Sequence, residues 1–149
     1  MREKVTRFVA AGFGSGFSPV APGTSGTLAA LPLAYLLSLL DKPVSAAVLA
    51  LFTALSVYVC GAAAAAEKDK DPAWIVMDEF AGLLVATLWV EPSLYSYGAA
   101  FFLFRLFDIM KPPPVNMIDR SDRGGFSIVF DDVAAGLMAR ALMAWPLGF

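Results

Sequence analysis

Apolar residues in this chain run continuously instead of marking one face, and they fall into five stretches: 27–40, 43–66, 74–90, 98–110 and 127–145. Polar breaks separate them at 41–42, 67–73, 91–97 and 111–126. A surface helix of a soluble domain needs only an apolar stripe, so runs of this kind predict helices buried or lipid-coated on all sides. The expected fold is all-α: a polytopic helical membrane bundle of about four to five spans, built as a single domain over 1–149. Only 43–66 meets the charge-free criterion of ~20 residues for a full crossing. The first and fourth stretches are short and call for tilt, partial burial or extension beyond these bounds. Ahead of them, 12–26 carries five glycines and two prolines, a composition that suits an N-terminal re-entrant or surface loop better than a helix.

Composition sharpens this picture. Of 149 residues, 58% are hydrophobic and 16% charged, too apolar for an ordinary soluble domain. The net charge of -2 leaves no basic footprint for nucleic acid, so no nucleic-acid partner is expected. Cys60 is the single cysteine and histidine is absent, which argues against a disulfide, a zinc site or an imidazole base. The basic N-terminus lacks a signal-cleavage pattern and is read as unprocessed. If all five stretches cross, Arg2, Lys4, Arg7, Lys68, Lys70, Lys111, Arg120 and Arg123 share one side, with Lys42 alone opposite. Retention of Lys and Arg on the inner face makes the rich side cytoplasmic and puts the C-terminus outside.

The candidate chemistry lies in acids inside the apolar runs. Asp78 and Glu79 stand about one turn into the third stretch, Asp108 near the end of the fourth, and Asp131 and Asp132 about one turn into the fifth. In the alternating topology all five reach one depth near the cytoplasmic face. Ionisable groups in a span are costly and face cavities, charged partners or functional sites. Taken singly, each acid is equally well read as a helix cap or a partner of Arg105, Lys111 or Arg140; the shared depth of five is what such roles leave unexplained. Oxygen-only ligation suits magnesium or manganese, and magnesium is commonly shared between carboxylates and substrate phosphate. The five acids are therefore candidate catalytic and metal-ligating residues, with Arg105 and Lys111 as phosphate contacts. Asp78 to Gly82 and Asp132 to Gly136 repeat an acid–glycine spacing of four, which would let helices approach beside the acids.

Thr24 or Ser25 is expected to cap the first long helix, whose free N–H groups could take phosphate oxygens. The glycine loop at 12–16 has neither a following Lys-Ser/Thr nor a preceding strand, so it is no nucleotide loop. A cysteine-phosphatase loop is closed too, because Ala66 stands where an arginine would follow Cys60. Asp69-Lys70-Asp71 has aspartyl-nucleophile spacing but follows an alanine-rich run and reads as a solvated turn.

Several blocks together resemble the phosphatidylglycerophosphatase A family: Gly12-Phe13-Gly14-Ser15-Gly16 through Pro19 with Ala21-Pro22-Gly23-Thr24; Asp78-Glu79 with Gly82; Phe104-Arg105-Leu106-Phe107-Asp108 with Lys111-Pro112 and Pro114; Asp119-Arg120; and Gly124-Gly125 with Asp131-Asp132 and Gly136. They cover nearly the whole chain in order. Ser127-Ile128-Val129 departs from the more glycine- and methionine-rich approach expected before the paired aspartates. The resemblance implies Mg2+-dependent hydrolysis of phosphatidylglycerophosphate to phosphatidylglycerol and inorganic phosphate at the cytoplasmic face of a bacterial inner membrane. Thr24, Ser25, Arg105, Lys111 and Arg120 are its candidate substrate contacts, and a homo-oligomer is compatible with it. The competing reading is an ion or proton transporter using intramembrane carboxylates; acids gathered at one depth favour the phosphatase.

Overall fold

The computed structural model describes residues 2–67, 72–121 and 124–144 and is all-helical over them. The elements are α1 (Arg2–Ala10), a 3-10 segment (Gly12–Phe17), α2 (Pro22–Ser38), α3 (Lys42–Glu67), α4 (Met77–Ala86), α5 (Leu94–Met110), α6 (Val115–Asp119) and α7 (Gly125–Ala144). The five apolar stretches reappear as α2, α3, α4, α5 and α7. Two short helices, α1 and α6, lie outside them, and Asp69-Lys70-Asp71 and Trp145 fall outside the described residues.

The third stretch differs most from its expected form. Its helix runs for only ten residues, beginning after Trp74-Ile75-Val76 and ending in a turn that holds Trp89 at φ 58°. Nine of the ten α4 residues are buried, and α2, α3, α5 and α7 surround it. Apolar character on every side is what a central helix requires. At 1.5 Å per residue α4 covers about 15 Å, half of a ~30 Å hydrocarbon core.

α4 crosses α7 with almost nothing between the two backbones. A Cβ on Gly136 would collide with the Gly82 carbonyl, and one on Gly82 would collide with the Phe104 ring and with the Asp132 carbonyl oxygen. The acid–glycine spacing read from the sequence is thus a helix crossing, with Asp78 and Asp132 each one turn from it. At the start of α5, Ser93 Oγ accepts from Ser96 N while Ser96 Oγ accepts from Ser93 N, a reciprocal cap. Lys111 ends α5 in the left-handed conformation, φ 44°, and Pro112 prevents continuation.

The helices alternate between two ends. Pro22, Gly23, Asp78, Asp108 and Asp131 gather at one; Leu40, Lys42, Thr87 and Glu91 line a cavity of about 370 Å³ at the other. Arg140 Nε, near the end of α7, donates to Leu88 O at 2.9 Å at this second end. Among the described residues one helix, α3, is long and apolar enough to cross a membrane, and only 22% of its most apolar window is buried in the fold. A bundle of four to five full spans is therefore not what helix length alone establishes. The outer surface is nonetheless oily, with Leu28, Leu36, Leu51, Leu55, Phe102 and Leu137 all more than half exposed.

The 12–26 region is more ordered and more buried than a surface loop. Gly12 (φ +54°) and Gly16 pack so tightly that added Cβ atoms would strike Phe80 and Val76 in one case and the Trp74 carbonyl in the other. Val76 N donates to Ala10 O at 3.0 Å. Arg7 lies over the rings of Phe17 and Trp74 and pairs with Glu67 at 3.4 Å. This N-terminal segment thereby fixes the turn that leads into α4, and with it the position of Asp78 and Glu79.

Gly136→Ala is expected to destabilise the protein by about 3 kcal/mol or more, since the obstacle is backbone and cannot swing away. Gly98→Ala in α5 meets open space and should be neutral or stabilising by up to ~1 kcal/mol. Denaturant unfolding of both variants checks the contrast; equal effects would refute the tight crossing.

Candidate active site

The acids reach one cleft from three helices. Asp78 and Glu79 occupy the first turn of α4, where the exposed N–H groups favour negative charge, and Asp78 Oδ1 accepts from Glu79 N at 3.0 Å. Asp131 and Asp132 are buried in the second turn of α7, and α5 supplies Arg105 and Asp108. The cleft has a volume of about 230 Å³.

Within it the five candidates divide into two groups. One oxygen each from Asp78, Glu79 and Asp132 can be chosen so that all lie within 4.8 Å of one another, a spacing that suits a shared cation. Asp108 and Asp131 instead engage cations of the protein. Arg105 Nη1 donates to Asp108 Oδ2 at 2.6 Å and lies 3.9 Å from Glu79 Oε1. Lys111 Nζ donates to Asp119 Oδ1 at 2.7 Å and to Asp131 Oδ2 at 2.6 Å. Asp119 is a site residue the sequence reading missed, its only signal being membership of the Asp119-Arg120 block.

Among the described residues the cleft gathers more acid than base. Five carboxylates line the cleft beside two cations. Burial pushes Glu79 up to about 8; the backbone-facing Asp78 side chain opposes this, the charges of Asp132 and Asp108 add to it, and Arg105 pulls down. Burial works against the charged form of Lys111, but its bonds to Asp119 and Asp131 prevail and raise its pKa. Glu79 Oε2, Asp131 Oδ1 and Arg105 Nε are buried with no hydrogen-bond partner among the described residues. Unsatisfied buried groups of this kind are costly and mark a place where a ligand belongs.

The start of α2 closes one wall. A Cβ on Gly23 would meet Glu79 Oε1, with both terminal nitrogens of Arg105 at 3.1 Å. Its N-cap is Ala21 in the left-handed conformation, with no side-chain cap bond; the expected Thr24 or Ser25 cap is not formed because Pro22 at the first helical position leaves the cap to the residue before it. Pro22 and Gly23 line the cleft, whereas Thr24 and Ser25 are half-buried and do not. Arg120 is exposed at the end of α6 and also stands apart from the lining. Ala73 and Ile75 complete the wall and carried no sequence signal of chemistry.

An all-helical protein with a buried carboxylate centre able to hold a metal ion is the class that fold and site define. The sequence profile described as Phosphatidylglycerophosphatase A matches residues 8–146. A protein of that name from Escherichia coli (strain K12) is 37% identical over 146 residues, covering 94% of this chain and 85% of the relative. Another of that name from Haemophilus influenzae is 40% identical over 133 residues, covering 88% and 82%. A Bacteroides thetaiotaomicron protein with the provisional name phosphatidylinositol-3-phosphatase is 37% identical over 156 residues, covering 94% of each. No solved structure matches. The chain belongs to the phosphatidylglycerophosphatase A family and is an enzyme, a phosphoric monoester hydrolase. The transporter reading is not supported.

Replacing Lys111 with Met should cost about 1.5–3 kcal/mol, the worth of a charged hydrogen bond to a buried carboxylate. Adding Asp131→Asn should recover part of that loss, because the stranded charge is removed. Thermal melts of the two single variants and the double variant test the coupling; strictly additive losses would dissolve the pair.

Proposed function

We propose that the chain hydrolyses phosphatidylglycerophosphate to phosphatidylglycerol and inorganic phosphate, with Mg2+ at Asp78, Glu79 and Asp132, in a cleft at the cytoplasmic membrane face. The observation that carries this reading is the cation-sized convergence of three carboxylates beside Arg105 and Lys111. The donor set fits the ion: all oxygen, no histidine, and one carboxylate atom, Glu79 Oε2, still lacking a partner. When bound there, a divalent ion polarises the phosphoryl group and lowers the pKa of an attacking water.

The chain's own residues supply the rest. We assign Arg105 to phosphate oxygens, supported by its unpartnered Nε, and Asp108 to holding that guanidinium in place. Lys111 orients Asp131, whose unpartnered Oδ1 is the candidate acceptor for the proton lost by water. The P–O bond to the glycerol breaks, water oxygen joins phosphorus, and the departing alkoxide takes up a proton. Thr24, Ser25 and Arg120 remain candidate substrate contacts at the rim. The apolar exterior and the span-length α3 support a membrane-embedded bundle, and the clustering of Arg7, Arg105 and Lys111 at the cleft end supports an inward-facing site.

The name of the Bacteroides relative points to a second headgroup, phosphatidylinositol 3-phosphate, also a phosphomonoester on a phospholipid. Phosphate release by the purified protein from both lipids, each with and without Mg2+, identifies the preferred substrate. Asp78→Asn and Asp132→Asn should each lower turnover per folded molecule by about 10²–10⁴-fold. Their metal-free melting temperatures should hold or rise as like-charge repulsion is relieved. Near-normal turnover in both would sink the metal site.

A further inference from the structure

We propose that the groove between α2 and α5 seats one acyl chain of the lipid whose phosphate occupies the cleft; this rests on the lipid-phosphatase reading above. Leu28, Leu31 and Tyr35 of α2 face Leu94, Gly98 and Phe101 of α5 across a cavity of about 490 Å³ with almost wholly apolar walls. The same two helices form the polar cleft at their other ends, through Gly23 on α2 and through Arg105 and Asp108 on α5.

Register makes the two sites continuous. On α5, residues 94, 98, 101, 105 and 108 follow spacings of three and four, so the groove lining and the Arg105–Asp108 pair lie along one stripe. On α2, positions 24, 28, 31 and 35 do the same, which puts Thr24 between the cleft and Leu28. From Arg105 to Leu94 the helix advances about 16 Å, comparable with the ~15 Å that one leaflet contributes to a ~30 Å hydrocarbon core. The groove is also shaped and held open. Tyr97 Oη donates to Ala34 O at 3.1 Å, tying α5 to α2. Nothing lies within 4 Å of a Cβ built at Gly98, so the missing side chain leaves a channel in the α5 face.

A tail surrounded by lipid gains little hydrophobic free energy by entering an apolar groove. The gain is positional: a chain fixed along the α5 stripe delivers its headgroup to Arg105 in one orientation.

A lipid phosphomonoester with a mid-chain diazirine tests this on the intact protein in detergent. Label is expected on 28–35 and 94–101 well above that on the outward face of α3 at Leu51 and Leu55, and Gly98→Phe should reduce the groove label by on the order of tenfold. The same variant should lower kcat/KM for long-chain substrate by on the order of tenfold and leave the rate on a tail-less headgroup analogue unchanged. Uniform labelling of the apolar exterior, insensitivity to Gly98→Phe, equal loss on both substrates, or a change of oligomeric state in that variant would overturn the groove. Wild-type turnover of the probe separates the two readings. Groove labelling without hydrolysis sinks the phosphatase and keeps the groove, whereas hydrolysis with uniform labelling does the opposite.

Discussion

The backbone contact between Gly82 and Gly136 is the constraint from which the site follows. Helices that carry side chains at their crossing stand about 8–10 Å apart; here the Gly136 position admits no Cβ. Closer approach brings the first turn of α4 and the second turn of α7 together, and with them Asp78, Glu79 and Asp132. Packing therefore gathers five carboxylates and two cations of the described residues into one cleft.

Two different responses to buried charge appear side by side. Asp108 and Asp131 are answered by Arg105 and Lys111, which also neutralise the rim. Asp78, Glu79 and Asp132 instead converge on one another, each offering an oxygen within 4.8 Å of the other two. This division bears on the proposed chemistry because a carboxylate tied to lysine is oriented by it, whereas three carboxylates that converge on one point could share an ion. Lys111 reaches both Asp119 and Asp131 because its left-handed backbone ends α5 at the mouth of the cleft. A helical continuation at that residue would carry the chain away from it.

Much of this arrangement was legible in the sequence, for identifiable reasons. Uninterrupted apolar runs mark α2, α3, α5 and α7, and acids inside them stand out against their surroundings. The Asp78-to-Gly82 and Asp132-to-Gly136 spacings also marked places where helices could approach beside the acids, but not that the two glycines meet each other. What periodicity does not encode is which acid meets which cation: the separation of Asp131 from Asp132 depends on Lys111 folding back eight residues short of Asp119. The brevity of α4 was hidden as well, since Thr87-Leu88-Trp89 lacks the glycine or proline that would announce a turn, and Trp89 takes the left-handed conformation without one. The glycines of 12–16 read as a loop because their partner, the Trp74–Val76 lead, is distant in sequence.

The polar cleft opens at the end of the bundle, while the α2–α5 groove opens along its side. Under the proposed function, a polar centre and an oily groove with separate mouths would sort the two products by their solubility. Inorganic phosphate would then have a path to water, and the dephosphorylated lipid would slide laterally back among its neighbours. On that arrangement neither departure would have to wait for the other, and turnover would carry no enforced order of release.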